Sequence, residues 1–255
     1  MALLPYTVTG LAEGQPIMFL HAANFDGGMW DVIIDRLSEM RCLAPDLPGH
    51  GRAVGIDWIS FQDAARSVAQ LIEASDIRPP VDLVGLSLGS YVGFTLMQER
   101  PDLVRRAVLS GFHVAPLNVS GLNAALSNLL SPLAATRWFR RRIARSMGVP
   151  DNRLQTLGPV TARALRGVNR DAIAFGALGV LKTVDVPLLA LAGEREQPMI
   201  IRSLTIMQRE MRHCVARLAR GLGHGWPAQD PDLFADTVRA FVSELDLPPG
   251  LTLAP

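Results

Sequence analysis

Short apolar runs alternate with longer amphipathic stretches along most of this 255-residue chain. Pro16–Leu20 and Val81–Leu86 are nearly continuous apolar runs, which is typical of strands buried on both faces, whereas Phe61–Ala74 repeats its apolar residues at helical spacing. Alternation of this kind predicts βαβ units, and therefore an α/β fold with a parallel sheet covered by helices. In such a sheet ligands bind beyond the carboxyl ends of the strands, so we expect the functional residues there.

The composition limits the classes of protein to which the chain can belong. Hydrophobic residues make up 49% of the chain, enough for one large α/β domain, and a net charge of +1 predicts no nucleic-acid partner. The two cysteines, Cys42 and Cys214, lie in separate strand-like runs and are expected to be buried free thiols. The amino terminus does not resemble a signal peptide, and no apolar run approaches the roughly 20 residues that span a bilayer. We therefore expect a cytoplasmic protein with no membrane span.

One stretch interrupts the alternation: residues 112–184, here called the insertion, contain no clear strand and are rich in leucine, alanine and arginine. We expect it to form a helical cap (lid) over the site, while residues 1–111 and 185–255 form the core domain. The insertion contains ten basic and two acidic residues. Three interpretations stay open: a lid that attracts anionic substrates, an amphipathic helix around Trp138–Phe139 that lies on a membrane or partner, or a solvated face that pairs with the acidic core or a second subunit of a homodimer.

A glycine-flanked serine lies at the end of the most apolar predicted strand. Gly85-Leu86-Ser87-Leu88-Gly89 connects the Val81–Leu86 strand to a helical stretch. In this context Gly-x-Ser-x-Gly predicts a sharp turn that exposes the serine at the edge of the sheet, because the glycines keep side chains away from the turn. The following helix points free backbone N–H groups at the site, where they favour a developing oxyanion. We interpret Ser87 as a nucleophile; the alternative is an ordinary turn with a capping serine.

A serine hydroxyl needs a base to act as a nucleophile at neutral pH, and the chain contains five histidines. His224 lies in a glycine-rich loop just after the last predicted core strand, which places it at the same edge of the sheet as the serine. We therefore select His224 as the base. His21 and His50 are expected to shape loops, and His113 enters the insertion and is a candidate pocket residue.

The base in turn needs a carboxylate that fixes its tautomer and stabilises the imidazolium. Two candidates, Glu194 and Glu196, follow the predicted strand that ends at Ala192. Glu196 is favoured because it lies three residues beyond Gly193, far enough to turn back toward His224. Glu194 stays the alternative.

Together these motifs resemble those of α/β-hydrolase-fold enzymes over nearly the whole chain. The matching segments are Phe19-Leu20-His21-Ala22-Ala23, Asp46-Leu47-Pro48-Gly49-His50-Gly51, Gly85-Leu86-Ser87-Leu88-Gly89, Ala192-Gly193-Glu194-Arg195-Glu196 and Gly223-His224. The resemblance implies a mostly parallel sheet of about eight strands, an inserted helical cap and no cofactor. It also implies the order of nucleophile, acid and histidine that Ser87, Glu196 and His224 meet.

The same resemblance implies an oxyanion hole made by the backbone N–H groups of Ala23 and Leu88. Two positions depart from the family pattern. The family usually has His-Gly where this chain has His21-Ala22, and the alanine restricts the backbone beside the first donor. The family more often has aspartate where this chain has Glu196, so the acid loop must lie slightly further back.

A serine at this turn argues against the alkyl-enzyme chemistry of similar proteins that use an aspartate there. We therefore expect a serine hydrolase that cleaves a small to medium, mostly apolar carboxylic ester or lactone through an acyl-Ser87 intermediate. Carbon–carbon bond hydrolysis and acyl transfer use the same triad and stay open, and a ligand receptor on the same fold is a third alternative. Further candidate pocket residues are Trp138, Phe139 and Trp226.

Overall fold

A single sheet organises the molecule, whose computed structural model describes residues 3–117, 131–149 and 157–255. Its spatial order is β1-β3-β2-β4-β5-β6-β7-β8. The strands are β1 Tyr6–Gly10, β2 Pro16–Leu20, β3 Arg41–Pro45, β4 Val81–Leu86, β5 Val104–Ser110, β6 Leu188–Gly193, β7 Cys214–Ala219 and β8 Leu251–Leu253. The six central strands are parallel, and β1 and β8 are antiparallel edges. The mostly parallel sheet of about eight strands is confirmed.

Helices cover both faces of this sheet. They include α1 Asp31–Ile34, α2 Phe61–Ala74, α3 Leu88–Glu99, α4 Arg137–Ser146, α5 Ala162–Ala174, α6 Pro198–Glu210, α7 Trp226–Gln229 and α8 Pro231–Val242. On β4, Leu83 packs in the layer that contains α2, α3 and α6, whereas Val84 and Leu86 pack in the layer that contains α1 and α8. Both layers are apolar, which explains why β4 is a nearly continuous apolar run.

Several elements have no counterpart in the sequence prediction, among them β1, β8 and α6. The strand β1 is a largely exposed edge whose alternating threonines give no apolar run. The strand β8 is only three residues long and lies in the proline-rich tail, and α6 follows the acid loop directly. Residues 28–39 have apolar residues at helical spacing, which predicts a helix over the whole range, but the observed helix is shorter. A 3₁₀ turn at Gly27–Trp30, capped by the Asp26 carboxylate, precedes the four-residue α1.

The insertion leaves the sheet after β5 and returns before β6. Its described parts contain α4 and α5 and no strand of the sheet, apart from an isolated bridge between Val160 and His50 of the core. The Trp58 indole N–H donates to Asp171 Oδ2 at 2.9 Å and ties α5 to the core. The division into core and cap domains itself stays a prediction.

The two cysteines lie far apart in the sheet. Cys42 on β3 is buried, Cys214 on β7 is half-buried, and both are free thiols, as predicted. Four strands separate β3 from β7, a distance no disulfide can bridge. Within the described ranges, no helix is long and apolar enough to cross a membrane.

Candidate active site

Ser87 occupies the sharp turn between β4 and α3. Its backbone has φ +52° and ψ −112°, a region that a non-glycine residue adopts only at an energetic cost. The Ser87 N–H donates to the Ser110 carbonyl oxygen at 2.9 Å, which continues the β4–β5 ladder one residue past its end. The serine side chain therefore lies half-buried at the carboxyl edge of the sheet.

The two glycines of the motif are required by close contacts. A Cβ atom on Gly85 would lie 2.8 Å from the backbone of Gly89. A Cβ atom on Gly89 would overlap the carbonyl oxygen of Leu20, the last residue of β2. These contacts bring the start of α3 against the end of β2, so the loop after β2 lies beside Ser87.

The structure brings His224 and Glu196 together. His224 Nδ1 lies 2.5 Å from Glu196 Oε2, and Glu196 Oε1 accepts the Gln197 N–H at 2.9 Å. The Glu196 side chain is only 3% exposed. Glu194, in contrast, is exposed and accepts the backbone N–H of Gly221 at 2.7 Å. Of the two candidate acids, Glu196 is therefore the one that contacts the imidazole.

The loops that carry the acid and the histidine are packed directly together. The Arg195 N–H donates to the Leu222 carbonyl oxygen at 2.8 Å. A Cβ atom on Gly193 would overlap the carbonyl oxygen of Gly223. The glycine at the end of β6 is therefore what lets the two loops approach closely enough for the contact between His224 and Glu196.

The His224 ring also lies beside the strand ends that carry the serine. A Cβ atom on Gly111, which has φ +72°, would lie 2.9 Å from His224 Cε1. Gly111 follows Ser110, and Ser110 pairs with Leu86 in the sheet. Among the described residues, no hydrogen bond reaches the Ser87 hydroxyl, and catalytic hydrogen bonds often tighten only when substrate is bound.

The two expected oxyanion donors line the same cavity as the serine. Leu88 is the first residue of α3, where the backbone N–H has no partner within the helix. This cavity, here called the serine cavity, has a volume of about 310 Å³. Its walls are formed by Ala23, Asn24, Ser87, Leu88, Tyr91, Ser131, Ala134, Leu165, Arg166, Val168, Asn169 and Ala172.

A second cavity, of about 90 Å³ and strongly apolar, lies on the side of the sheet covered by α1 and α8. It borders the site through Leu86, the neighbour of the serine, and Gly225, the neighbour of the histidine. Its other walls include Phe25 of the loop after β2, and Met147 and Leu157 of the insertion.

His21 and His50 shape the loops after β2 and β3, as expected. The His21 ring donates from Nδ1 to the Ala22 carbonyl oxygen at 2.9 Å and accepts at Nε2 from the Leu47 N–H at 2.8 Å, so the ring is the neutral Nδ1–H tautomer. Burial lowers the pKa of His21. His50 donates to the Pro48 carbonyl oxygen at 2.9 Å, and burial and the nearby His21 lower its pKa to about 3.

Two of the predicted pocket residues lie in the core, beside the site. Trp226 is fully buried because its indole N–H donates to Ser110 Oγ at 2.9 Å and its ring packs edge-on against Phe234. His113 is also buried, with its ring against Tyr91 at a centroid distance of 5.3 Å. Neither residue contributes to the described walls of the two cavities.

The other two predicted pocket residues lie on α4. The helix buries Arg140 and Ala144, which lie four residues apart on one face. Trp138 is two residues from Arg140, almost on the opposite face, and is 67% exposed. Phe139 is half-buried next to it. The described walls of the serine cavity include neither side chain.

The residues that α5 presents to the serine cavity were missing from the sequence prediction. Leu165, Val168, Asn169 and Ala172 recur at helical spacing, which is the signal that could have found them. Arg166 also lines this cavity, and its guanidinium donates to Ser131 Oγ at 3.0 Å.

Comparison with known proteins identifies the family. A model described as "Alpha/beta hydrolase family" matches residues 17–237. The chain belongs to the alpha/beta hydrolase family. This membership confirms the resemblance inferred from the motifs, and with it the prediction of an enzyme.

Several known proteins are similar to almost the full chain. An "AB hydrolase superfamily protein" of Gibberella zeae is 27% identical over 95% of this chain and 85% of its own length. A 2-succinyl-6-hydroxy-2,4-cyclohexadiene-1-carboxylate synthase of Yersinia pestis is 25% identical over 93% of this chain and 91% of its own. The enol-lactonase from Burkholderia xenovorans LB400 shares the fold, with a TM-score of 0.76 at 18% identity over 94% of this chain and 96% of its own.

Proposed function

We propose that the chain is a cofactor-independent serine hydrolase of small to medium carboxylic esters or lactones. The observation that carries this proposal is that the strained Ser87 turn lies at the same sheet edge as His224 and Glu196. His224 Nδ1 and Glu196 Oε2 are 2.5 Å apart. A receptor needs neither the strained serine nor an aligned base and acid, and strain of this kind persists where function requires it.

The reaction begins when Ser87 Oγ attacks the substrate carbonyl carbon and its proton passes to His224 Nε2. Glu196 holds the ring through Nδ1 and stabilises the imidazolium that forms. The carbonyl oxygen becomes an oxyanion that the N–H groups of Ala23 and Leu88 stabilise. His224 then protonates the leaving alcohol, and the acyl-serine intermediate remains. Water, activated by the same histidine, attacks the acyl carbon and releases the acid and the free serine.

The cavities support a small to medium substrate. The serine cavity, at about 310 Å³, has the size of the smaller ligand sites in proteins. Its wall from α3 and α5 is largely apolar, formed by residues such as Leu88, Leu165 and Val168. We propose that the insertion acts as the cap of this site, because α5 supplies one wall of the serine cavity and α4 leads to residues that close the smaller one.

The test is hydrolysis of p-nitrophenyl acetate, butyrate and octanoate by the wild type and by Ser87→Ala. We expect turnover by the wild type alone. The rate should decline once the acyl chain of the ester is too long for the serine cavity. Inert wild type would reject ester hydrolysis, and a burst of one equivalent without turnover would favour acyl transfer over hydrolysis.

A second candidate is chemistry on a substrate that carries carboxylates. It is favoured by Arg166 on the wall of the serine cavity, because a guanidinium is well suited to bind a carboxylate. The Yersinia relative is named for a product with succinyl and carboxylate groups. In the same ester assay, inhibition by succinate that Arg166→Gln abolishes would support this candidate, and no inhibition would reject it.

A further inference from the structure

Arg140 of α4 is a buried cation held by backbone carbonyl groups. The residue is 2% exposed, although it belongs to an arginine-rich helix. Its guanidinium donates from Nε and Nη2 to the carbonyl oxygen of Asn24 at 2.9 and 2.5 Å, and from Nη1 to that of Gly158 at 2.5 Å. In the described parts of the chain, no carboxylate forms an ion pair with Arg140. Burying a charge in this way is costly, so a purely structural role would be served better by an apolar side chain.

The carbonyl group that Arg140 holds belongs to the loop after β2. Asn24 directly follows Ala23, the proposed oxyanion donor, and has φ +68°, a left-handed conformation that asparagine adopts more readily than most other non-glycine residues. Two hydrogen bonds from one rigid guanidinium fix the orientation of the peptide plane after Asn24. The Ala23 N–H lies two peptide planes earlier in the same loop, so this contact limits its movement through the backbone of Ala23 and Asn24.

The insertion contacts the same loop at a second point. Asp26 Oδ2 accepts the Gly158 N–H at 2.6 Å, while the Gly158 carbonyl oxygen accepts from Arg140. A Cβ atom on Gly158 would lie 2.5 Å from Asp26 Oδ2 and 3.0 Å from Gly51 Cα, so only glycine fits this contact without displacement. The loop is therefore fastened to the insertion through both Asn24 and Asp26.

We propose that Arg140 is a positioning residue that holds the Ala23 N–H in the oxyanion hole and so makes the reactivity of Ser87 depend on docking of the insertion. This inference rests on the proposed serine-hydrolase function. Arg140 touches neither substrate nor reacting atoms; it acts through the backbone of Asn24.

The test measures the reactivity of Ser87 directly, through the rate of its covalent labelling by a fluorophosphonate probe, together with kcat and KM for p-nitrophenyl butyrate. For Arg140→Ala we expect labelling and kcat to fall by about 100-fold, the effect of losing an oxyanion donor, with KM changed by less than about 3-fold. Arg140→Lys keeps the charge and one donor direction, and is expected to recover part of the loss. Added guanidinium ion should also restore part of the activity of Arg140→Ala.

The matched control is Arg142→Ala, which removes the same charge from an exposed position of the same helix. It is expected to leave labelling and kcat within about 2-fold of the wild type. Labelling of Arg140→Ala at the wild-type rate, or an equal loss in Arg142→Ala, would overturn the proposal. A rise in KM with unchanged kcat would also overturn it, because that pattern indicates a substrate contact.

Two further arms keep the result decisive. If Arg140→Ala does not fold, Arg140→Lys and Gly158→Ala test the same contact: each should slow labelling while melting near the wild-type temperature, and unchanged labelling in both would overturn the inference. The probe reacts with an activated serine whatever the natural substrate is. A wild type that is labelled at Ser87 but cleaves no ester would therefore reject the proposed substrate class and still allow the Arg140 effect to be measured.

Discussion

The sheet edge and the insertion both surround Ser87, but they specify their residues in different ways. At the sheet edge, Ser87, Glu196 and His224 each follow the end of a parallel strand. Because these strands are parallel, their carboxyl ends lie at one edge of the sheet. In the insertion, the contribution of a residue depends on which face of a helix meets the core. On α4 that face carries Arg140, whereas Trp138, the larger apolar residue, faces solvent.

We therefore expect the two regions to have different roles, with the chemistry at the sheet edge and control of the reaction rate in the insertion. In the proposed mechanism, the sheet edge supplies the groups that exchange protons and form bonds, and these groups follow strand ends that have little freedom to move. The insertion supplies cavity walls and fastens the loop after β2 to the site. Substitutions at the sheet edge should therefore abolish the reaction, whereas those in the insertion should change its rate or leave it unaffected.

The largest effect is expected from Ser87→Ala. Removing the nucleophile should lower kcat by about 10⁴- to 10⁶-fold, because the remaining groups can only polarise the carbonyl of bound substrate. Steady-state ester hydrolysis measures this loss, and urea unfolding serves as the control for an intact fold. A variant that keeps more than about a tenth of the activity would contradict the assignment of the nucleophile.

The next largest effect distinguishes the two glutamates of the acid loop. Glu196→Gln keeps the shape but removes the charge that faces His224 Nδ1, so kcat should fall by about 10³- to 10⁴-fold. Glu194→Gln is the matched control, since this residue is exposed and its carboxylate accepts the Gly221 N–H instead of contacting His224. We expect it to change kcat by less than about 3-fold. Equal losses of kcat in the two variants would contradict the choice of Glu196 over Glu194 as the catalytic acid.

The sequence could predict the central sheet, and could single out the residues of the proposed catalytic set, because both depend on local patterns. Buried parallel strands are apolar runs, and Ser87, Glu196 and His224 each follow such a run, although the acid was one of two candidates. The edge strand β1 escaped prediction because it is mostly exposed and therefore has no apolar run.

The insertion could not be predicted to the same depth, because its contacts depend on helix packing. Arg140 is one arginine among several, and only the placement of α4 shows that it is buried. Trp226 is a similar case in the core. Its position beside the His224 loop suggested a pocket, but its side chain points into the interface between the sheet and α8.

A pH-dependent effect is expected where the two regions meet. His50 forms a bridge with Val160 of the insertion, and burial lowers its pKa from the usual 6.5 to about 3. Between these values the unfolded chain binds a proton that the folded chain does not. The free energy of unfolding should therefore fall as the pH falls below 6.5, with His50 contributing up to about 1.4 kcal/mol per pH unit.

His50→Asn tests this contribution, because its amide can still donate to the Pro48 carbonyl oxygen but does not titrate. Urea unfolding between pH 7 and pH 4 should show a shallower slope than that of the wild type. A residual slope is expected, since burial also lowers the pKa of His21. If the free energy of unfolding fell equally steeply with pH in the wild type and in His50→Asn, protonation of His50 would not destabilise the folded protein.

The smallest effects are expected from substitutions of two tryptophans, one in the core and one in the insertion. Trp226→Phe removes the hydrogen bond to Ser110 Oγ and some buried volume, so the free energy of unfolding should fall by about 1 to 3 kcal/mol. Trp138→Phe alters a side chain that is 67% exposed, and the change should stay within about 0.5 kcal/mol. Urea unfolding measures both variants, and ester hydrolysis by Trp138→Phe should stay within about 2-fold. If Trp138→Phe instead lowered stability as much as Trp226→Phe, or raised KM several-fold, Trp138 would have to lie against the core or the substrate in solution, and α4 would have to be rotated from the orientation that buries Arg140.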